Sequence, residues 1–328
     1  MIRISFMVCV AALAMWASAA MAEQGSVAVV RIAVLSQLVE RPPALSNLEV
    51  PPDDSGLLGA RMAIMENNTT GRFMKQRFDL KEKIVPVVGD VVAAFRELIR
   101  DDYHFIITNL APKVLLRVAD LAEAKEVLIF NAGAPDDILR TDQCRANVLH
   151  TIPSRAMMAD ALAQYLSRKR WSKWFLVVGR RNEDRLFAES VKRAAKRFGA
   201  KIVAEKKWEF GPDARRTAQS EVPVFTQDVD YDVLIAADEI GEFGEYLMYR
   251  TWEPRLVAGT QGLVPTNWDR VHEQWGAAQL QSRFFKTFGR WMNQQDYGFW
   301  SAVRTIGEGA TRTGSADFKN IISYIHGD

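Results

Sequence analysis

The sequence predicts an α/β protein of two Rossmann-like, doubly wound lobes that are joined by a multi-strand hinge and followed by a helical C-terminal part. Short runs of β-branched and apolar residues recur along the chain, and segments with helical apolar spacing separate them. Strand–helix units repeated at this length are typical of a parallel sheet with helices on its faces. From Trp268 onward only helical spacing remains, and it is interrupted at Gly289 and Gly314.

Residues 127–166 mark the predicted passage between the lobes. They open with a compact apolar run, residues 127–130, that has the length and composition of a buried parallel strand. A loop with glycine and proline follows at residues 131–135, and a second extended run spans residues 147–152. Pro153 is expected in the first turn of the next helix. We therefore expect a crossing here, with the loop at Asn131 at the mouth of a cleft.

The other predicted elements repeat one plan on each side of this crossing. Strands are predicted at residues 29–35, 78–87, 105–108, 174–179, 201–207, 231–236 and 255–258. Helices are predicted after Ser55, which can act as an N-cap, and at residues 91–99, 112–124 and 184–198.

The first 22 residues predict export. Arg3 supplies a positive charge, residues 6–20 form an uncharged apolar run, and Ala20-Met21-Ala22 is a small-x-small cleavage site. The run is shorter than a membrane-spanning helix needs. Cys9 lies inside it and not at the cleavage site, which argues against a lipid anchor. We expect a cleavable signal peptide; the alternative is a buried hydrophobic N-terminal helix.

Composition narrows the class of partner and of chemistry. Once Arg3 is removed, 41 basic and 40 acidic residues remain, which argues against a nucleic-acid partner. Cys144 is then the only cysteine, and we expect it to be a buried structural thiol. The four histidines lack metal-ligand spacing, and no phosphate-binding or nucleophile-elbow motif occurs. We expect a monomeric protein that is not an enzyme and has neither a catalytic cofactor nor a metal.

Three stretches carry a family resemblance: FNAGAPDD at residues 130–137, CRANVLHTIPSRAMMADALAQYL at 144–166 and KRWSKWFLVVGR at 169–180. They resemble type 1 periplasmic solute-binding proteins of the leucine/isoleucine/valine-binding group, and more narrowly the branch associated with PQQ-dependent alcohol dehydrogenase systems. The resemblance covers roughly residues 29–324. It implies a periplasmic protein that holds pyrroloquinoline quinone (PQQ) between two lobes, as a ligand, and delivers it to an inner-membrane ABC permease.

The resemblance also suggests how the chain is divided. We expect residues 23–148 plus about 262–328 in the first lobe and residues 149–261 in the second, after a signal peptide at 1–22. The C-terminal helices of the family pack back on the first lobe, and its chain then recrosses and adds strands to the second. Because this sequence stops at Asp328, either it is truncated or the second lobe is finished differently.

Candidate ligand contacts come from the loops that follow the strands, because ligands of open parallel sheets bind beyond the carboxyl ends of the strands. Tryptophans near the return crossing, where the chain is expected to pass back to the first lobe at about residue 262, are added to these loops. The candidates are Arg41, Thr108, Asn109, Asn131, Ala132, Arg180, Arg181, Asp238, Glu239, Gln261, Trp268 and Trp275.

Two kinds of side chain point to the ligand. Arginine forks and helix N-termini favour carboxylates, although Arg180 and Arg181 could equally form a solvated helix start. Tryptophan faces stack well on a flat conjugated ring, although each indole could instead lie in the core. Both features suit PQQ, a planar tricarboxylate. Asp238 and Glu239 could instead hold the ammonium group of an amino acid. The alternatives are therefore a binding protein for an amino acid or another small carboxylate, or a periplasmic ligand sensor linked to PQQ-dependent alcohol oxidation.

Overall fold

The computed structural model describes residues 27–40, 52–209 and 214–327. The predicted signal peptide, most of the loop that follows the first strand, and Arg41 lie outside these residues. No helix within the described ranges combines the length and the apolarity that a membrane crossing requires.

Two separate parallel sheets form the framework of the described chain. The five-stranded sheet has the order β2-β1-β3-β4-β5, and the four-stranded sheet has the order β7-β6-β8-β9. The first contains β1 (Ala28–Gln37), β2 (Gln76–Val85), β3 (Phe105–Asn109), β4 (Leu128–Asn131) and β5 (Val148–His150). The second contains β6 (Lys173–Val178), β7 (Lys201–Lys207), β8 (Val233–Ala237) and β9 (Leu256–Gly259). The predicted fold class, two α/β parallel-sheet lobes, is confirmed.

Helices connect the strands and form the end of the chain. They are α1 (Leu57–Met74), α2 (Val91–Arg100), α3 (Pro112–Ala119), α4 (Arg155–Arg168), α5 (Asn182–Phe198), α6 (Ala214–Thr226), α7 (Gly244–Leu247), α8 (Ala277–Phe288), α9 (Gln294–Thr313) and α10 (Phe318–His326). Gly289 and Gly314 adopt left-handed backbone conformations, with φ of 75° and 62°, and end α8 and α9 as predicted.

Both faces of the five-stranded sheet are buried. Alternate residues of β1 point to opposite sides, so that Ala33 and Leu35 join a core with α2 and α3, and Ile32 and Val34 join one with α1 and α9. The C-terminal helices therefore pack on the first sheet. Gly59 permits this close approach, because a Cβ added there would lie 1.9 Å from the carbonyl oxygen of Asp296.

Two predicted helix starts are wrong. Gly56, and not Ser55, is the N-cap of α1. Its N–H donates to Asp296 Oδ1 at 2.8 Å, so a side chain of α9 supplies the hydrogen-bond acceptor at the start of α1. Pro153 lies before α4 and not in its first turn. Ser154 is the N-cap, and its hydroxyl accepts a hydrogen bond from the N–H of Met157 at 3.4 Å.

Two further expectations differ from the structure. Cys144 is exposed and not buried, because it lies in the turn that precedes β5. The helix α6, which lies between β7 and β8, is not among the elements predicted from the sequence. This helix contains Pro223, a residue that normally argues against a helix interior.

Candidate interlobe site

Arg155 bridges the loops of the two sheets. It is the first residue of α4 and is only 4% exposed. Its Nε and Nη2 groups donate to the two carboxylate oxygens of Glu239, each at 2.7 Å, and Nη1 lies 2.9 Å from Asp136 Oδ2. Asp136 follows β4 of the first sheet, whereas Glu239 follows β8 of the second. One buried cation therefore joins an acidic group from each sheet.

The burial of this cluster shifts its titration. Burial alone would lower the pKa of Arg155. The interactions with Glu239 and Asp136 together have the larger effect, so the pKa is raised overall. Burial also raises the pKa of Glu239, and the bonds from Arg155 oppose that change. Because each charge loses its hydration, the charges depend on one another for compensation.

Asp137 ties the same first-sheet loop to the second sheet's helices. Its Oδ1 accepts from the N–H of Ala156 at 3.0 Å, and its Oδ2 accepts from the hydroxyl of Ser190 at 3.1 Å. The N–H of Arg155 donates to the carbonyl of Pro135 at 2.9 Å. The loop after β4 is therefore fixed against the start of α4 and the middle of α5.

Two buried carboxylates organise the loops of the second sheet. Asp238 accepts from the N–H groups of Glu242 and Phe243, both at 2.8 Å, and of Gly244 at 2.6 Å. Asp184 accepts from the N–H of Glu239 at 2.8 Å through Oδ1 and from the N–H of Arg181 at 3.0 Å through Oδ2. Each carboxylate therefore holds backbone in place with both of its oxygens.

Burial raises the pKa of Asp184 to about 6, against the opposing hydrogen bonds from Glu239 and Arg181. Between the ordinary pKa of 3.8 and this value the folded protein keeps a proton that the unfolded chain releases. The contribution of Asp184 to stability therefore falls as the pH rises through this window.

We expect Asp184→Asn to destabilise the protein, because an amide has only one oxygen for the two N–H groups. The loss should be larger at pH 4.5 than at pH 7.5, by on the order of 2 kcal/mol, because the variant lacks the titration that weakens the wild type. Urea unfolding of both proteins at the two pH values measures this difference. A loss that grows toward pH 7.5 would contradict the expected linkage.

The loop after β4 is shaped by Asn131. Its Oδ1 accepts from the N–H of Ala134 at 2.9 Å, and its Nδ2 donates to the carbonyl of Ala134 at 2.7 Å and to His150 Nδ1 at 3.0 Å. Burial, and then the charge of Arg140, lowers the pKa of His150 to about 4, so the ring is neutral near pH 7 and its Nδ1 accepts the hydrogen bond from Asn131.

The hydroxyl of buried Thr108 donates to the carbonyl of Phe130 at 3.3 Å.

The remaining first-sheet candidates lie at the same loop. Buried Ala132 donates its N–H to the carbonyl of Thr108 at 3.0 Å. Asn109 ends β3 and lies so close to Gly133 that a Cβ added to the glycine would be 2.7 Å from the Cα of Asn109. The structure thus brings Thr108, Asn109, Asn131 and Ala132 together.

Both candidate arginines of the second sheet are exposed. The side chain of Arg181 is 55% exposed and donates through Nη2 to Glu242 Oε1 at 2.7 Å. The backbone carbonyl of Arg180 accepts from Arg185 at 3.2 Å. Gln261, half-buried after β9, lies close to Gly244, where an added Cβ would be 2.3 Å from the Gln261 Cγ.

The two candidate tryptophans have opposite environments. Trp268 is 7% exposed and stacks on Tyr297 with ring centroids 4.4 Å apart. Its indole N–H, and both polar side-chain atoms of Asn267, are buried and make no hydrogen bond within the described residues. Trp275 is 92% exposed and contacts the ring of His272. Trp268 is therefore the indole that offers a buried, unused donor.

Sequence reasoning missed Arg155, although one signal was present. A cation in the first turn of a helix opposes the macrodipole, so an arginine directly after an N-cap serine needs an acidic partner.

No group of three or more His, Cys, Asp or Glu side chains among the described residues is arranged to hold a metal ion.

Comparison with known proteins agrees with this architecture. Residues 54–219 match the family described as periplasmic binding protein. This match covers half of the sequence, and the chain belongs to this family. A search of curated proteins gave no match.

Solved structures of low sequence identity share the fold. A branched-chain amino acid ABC transporter periplasmic ligand-binding protein from Burkholderia xenovorans has 16% identity, with 90% of this chain and 82% of that chain covered, at a TM-score of 0.71. An ABC transporter substrate-binding protein from Desulfitobacterium hafniense in complex with Leu has 15% identity, 91% and 88% coverage and a TM-score of 0.67. An R. palustris ABC transporter solute-binding protein in complex with benzoate has 12% identity, 90% and 85% coverage and a TM-score of 0.65.

Proposed function

We propose that this chain is the solute-binding protein of an ABC transporter, and that it captures PQQ between its two lobes in the periplasm and presents it to an inner-membrane permease. The observation that carries the proposal is the meeting of loops from both sheets around Arg155, at the carboxyl ends of β4 and β8. Ligands of open parallel sheets bind at such ends. In this proposal residues 1–22 are the signal peptide, residues 23–148 plus about 262–328 form the first lobe, and residues 149–261 form the second.

PQQ is supported by three features of the chain. The three stretches at residues 130–137, 144–166 and 169–180 resemble the PQQ-associated branch of the family. Trp268 offers a buried indole N–H that lacks an acceptor within the described residues, and a carboxylate or quinone oxygen of PQQ would supply one. Arg180 and Arg181 are both exposed at the start of α5, and Arg181 would exchange its pair with Glu242 for a carboxylate of the ligand.

The proposed contacts on each side of the ligand are those predicted from the sequence. The first lobe contributes Arg41, Thr108, Asn109, Asn131 and Ala132, and the return crossing contributes Trp268 and Trp275. The second lobe contributes Arg180, Arg181 and Gln261, together with the loop of Asp238 and Glu239, whose carboxylates are held by the protein's own donors.

A small carboxylate is the second candidate ligand. It is favoured by the solved structures of similar fold, which include complexes with leucine, with benzoate and with 3,4-dihydroxybenzoic acid. Because their sequence identities are low, these structures support the fold only, and the ligand has to be inferred from the residues of this chain.

Tryptophan fluorescence titration of the mature protein tests the proposal. We expect saturable quenching by PQQ at micromolar concentration or below, and no comparable response to leucine or benzoate. Trp268→Phe keeps an aromatic ring but removes the N–H, so it should weaken PQQ binding by about fivefold, the value of one hydrogen bond near 1 kcal/mol. Trp291→Phe, which alters a half-exposed indole stacked on Phe285, is the matched control and should leave affinity unchanged. An equal response to leucine, or no response to PQQ, would contradict PQQ as the ligand and favour a small carboxylate or an amino acid instead.

A further inference from the structure

We infer that the loop after β4 is a permanent joint between the two lobes, and that Asp137 keeps this joint closed while the far edges of the lobes move apart and together. The lobes then rotate about an axis that passes near the start of α4. The inference rests on the proposed function only for the motion of the lobes, and it holds for any ligand.

Residues 134–140 are anchored in the core of the first sheet. Ala134 and Leu139 are each 2% exposed and pack in the same apolar cluster as Ala33 of β1. Asn131, at the end of β4, fixes the start of the segment, since its Oδ1 accepts from the N–H of Ala134 at 2.9 Å. The segment therefore belongs to the first lobe.

The polar groups of the same segment bind helices of the second lobe. Asp137 accepts from the N–H of Ala156 at 3.0 Å and from the hydroxyl of Ser190 at 3.1 Å. The carbonyl of Pro135 accepts from the N–H of Arg155 at 2.9 Å. The helices that carry these donors, α4 and α5, pack together on the second sheet in one apolar cluster. One short segment is thus held by apolar contacts on one side and by hydrogen bonds on the other.

The joint lies beside the crossings of the chain between the two sheets. Both crossings rest on neighbouring residues of α9. A Cβ added to Gly298 would be 2.7 Å from the Cγ2 of Ile152 in the first crossing, and Tyr297 stacks on Trp268 in the return crossing. Arg140, in the loop after β4, donates to the carbonyl of Ile152. Because the crossings lie side by side, an axis of rotation between the lobes passes close to them and to the joint.

Distance from this axis decides which contacts a rotation breaks. Neighbouring strands are about 4.8 Å apart, so β2, three strands away from β4, lies roughly 14 Å from it. A rotation of about 20° displaces atoms at that radius by about 5 Å, but it moves atoms about 4 Å from the axis by only about 1.4 Å. Small side-chain adjustments preserve the hydrogen bonds of the joint during such a motion, while the far edges of the lobes separate.

Two amide hydrogens report directly on the joint. The N–H groups of Arg155 and Ala156 lie in the first turn of α4, where a helix offers no acceptor of its own, and they are bound by the loop after β4. In the ligand-free mature protein, after correction for intrinsic rates, we expect them to exchange at least about 100-fold more slowly than the N–H groups of Lys319 and Asn320, which exposed Asp317 binds at the start of α10. Equal rates would show that the joint opens with the lobes and would overturn the inference.

Spin labels measure the motion that the joint is expected to survive. Val88 and Glu209 are exposed beyond β2 and β7, the edge strands furthest from β4 and β9 in their sheets. Labels at Val88→Cys and Glu209→Cys, with exposed Cys144 replaced by serine, should give a broader distance distribution in the ligand-free protein than the control pair Val88→Cys and Lys125→Cys within the first lobe. An interlobe distribution as narrow as that of the control would show that the lobes do not move about the joint and would also overturn the inference.

Variants of Asp137 test its role. Asp137→Ala removes both bonds, so it should speed exchange of the Ala156 amide by about 100-fold and broaden the interlobe distance distribution further. Asp137→Asn keeps an oxygen for the N–H of Ala156 and gains an amide group that donates to the hydroxyl oxygen of Ser190, so it should resemble the wild type. Unchanged exchange and distances in Asp137→Ala would overturn the role of Asp137; if that variant does not fold, Ser190→Ala, which removes one of the two bonds, should broaden the distances in the same direction.

Addition of PQQ separates this inference from the proposed ligand. PQQ should narrow the interlobe distance distribution and leave the protection of the Arg155 and Ala156 amides unchanged. Protection that appears only with PQQ would overturn the permanent joint. A distance distribution that PQQ does not change would contradict the proposed ligand, and the ligand-free measurements would then decide the inference by themselves.

Discussion

Replacing Arg155 with methionine is expected to lower the free energy of unfolding by about 3–5 kcal/mol. Methionine fills a similar space, but it leaves Glu239 and Asp136 without their cation in a largely buried cluster. Their carboxylates should then take up protons more readily, so the loss should be smaller at pH 4 than at pH 7. Urea unfolding followed by circular dichroism at both pH values measures the effect.

Arg181→Met is the matched control, because it also removes an arginine that is paired with a glutamate on a loop of the second sheet. The side chain of Arg181 is 55% exposed, so the pair with Glu242 is screened by water and its loss should cost far less stability than the loss of Arg155. If the two variants lost similar stability, the bridge would not be the buried interlobe contact that its geometry indicates.

The framework could be predicted from the sequence because it depends on local patterns. The runs that became β1, β3, β4 and β6 are short, apolar and β-branched, and a strand buried on both faces needs that composition. The rule that ligands bind at strand ends likewise selected the loops after β4 and β8. These two loops meet at Arg155. Local sequence is sufficient for such elements since each one is specified by its own residues.

The errors arise where a distant residue decides a local structure. Ser55 is a good N-cap by composition, but Gly56 takes that position because Asp296, 240 residues further along the chain, supplies the acceptor for its N–H. Trp268 and Trp275 are seven residues apart and look alike in sequence, yet one is buried against Tyr297 and the other is almost fully exposed. Asp238 looks available for a ligand until the folded loop places three N–H groups on it.

Asp296→Ala is the second substitution expected to have a large effect, again about 3–5 kcal/mol. Asp296 is fully buried at the start of α9, where Oδ1 accepts from the N–H of Gly56 at 2.8 Å and Oδ2 accepts from the N–H of Asn293 at 3.0 Å. Nη1 of Arg290 donates to Oδ2 at 2.6 Å. Alanine would leave the guanidinium of Arg290, whose side chain is 21% exposed, with exposed Asp54 as its remaining acidic partner. It would also remove acceptors from the starts of both α1 and α9.

Asp317→Ala provides the comparison, since Asp317 is an exposed N-cap that accepts from the N–H groups of Lys319 and Asn320 at 3.0 and 3.1 Å. Its loss should cost only about 1 kcal/mol. Amide hydrogen exchange separates the two roles. Asp296→Ala should speed exchange in α1 and α9 together while the amides of β6 and β8 stay protected, because the bonds of Asp296 lie on the first-sheet side of the molecule. Exchange that rose only in α9 would show that Asp296 caps its own helix without fixing α1, and the C-terminal helices would then be held to the first sheet by their apolar contacts alone.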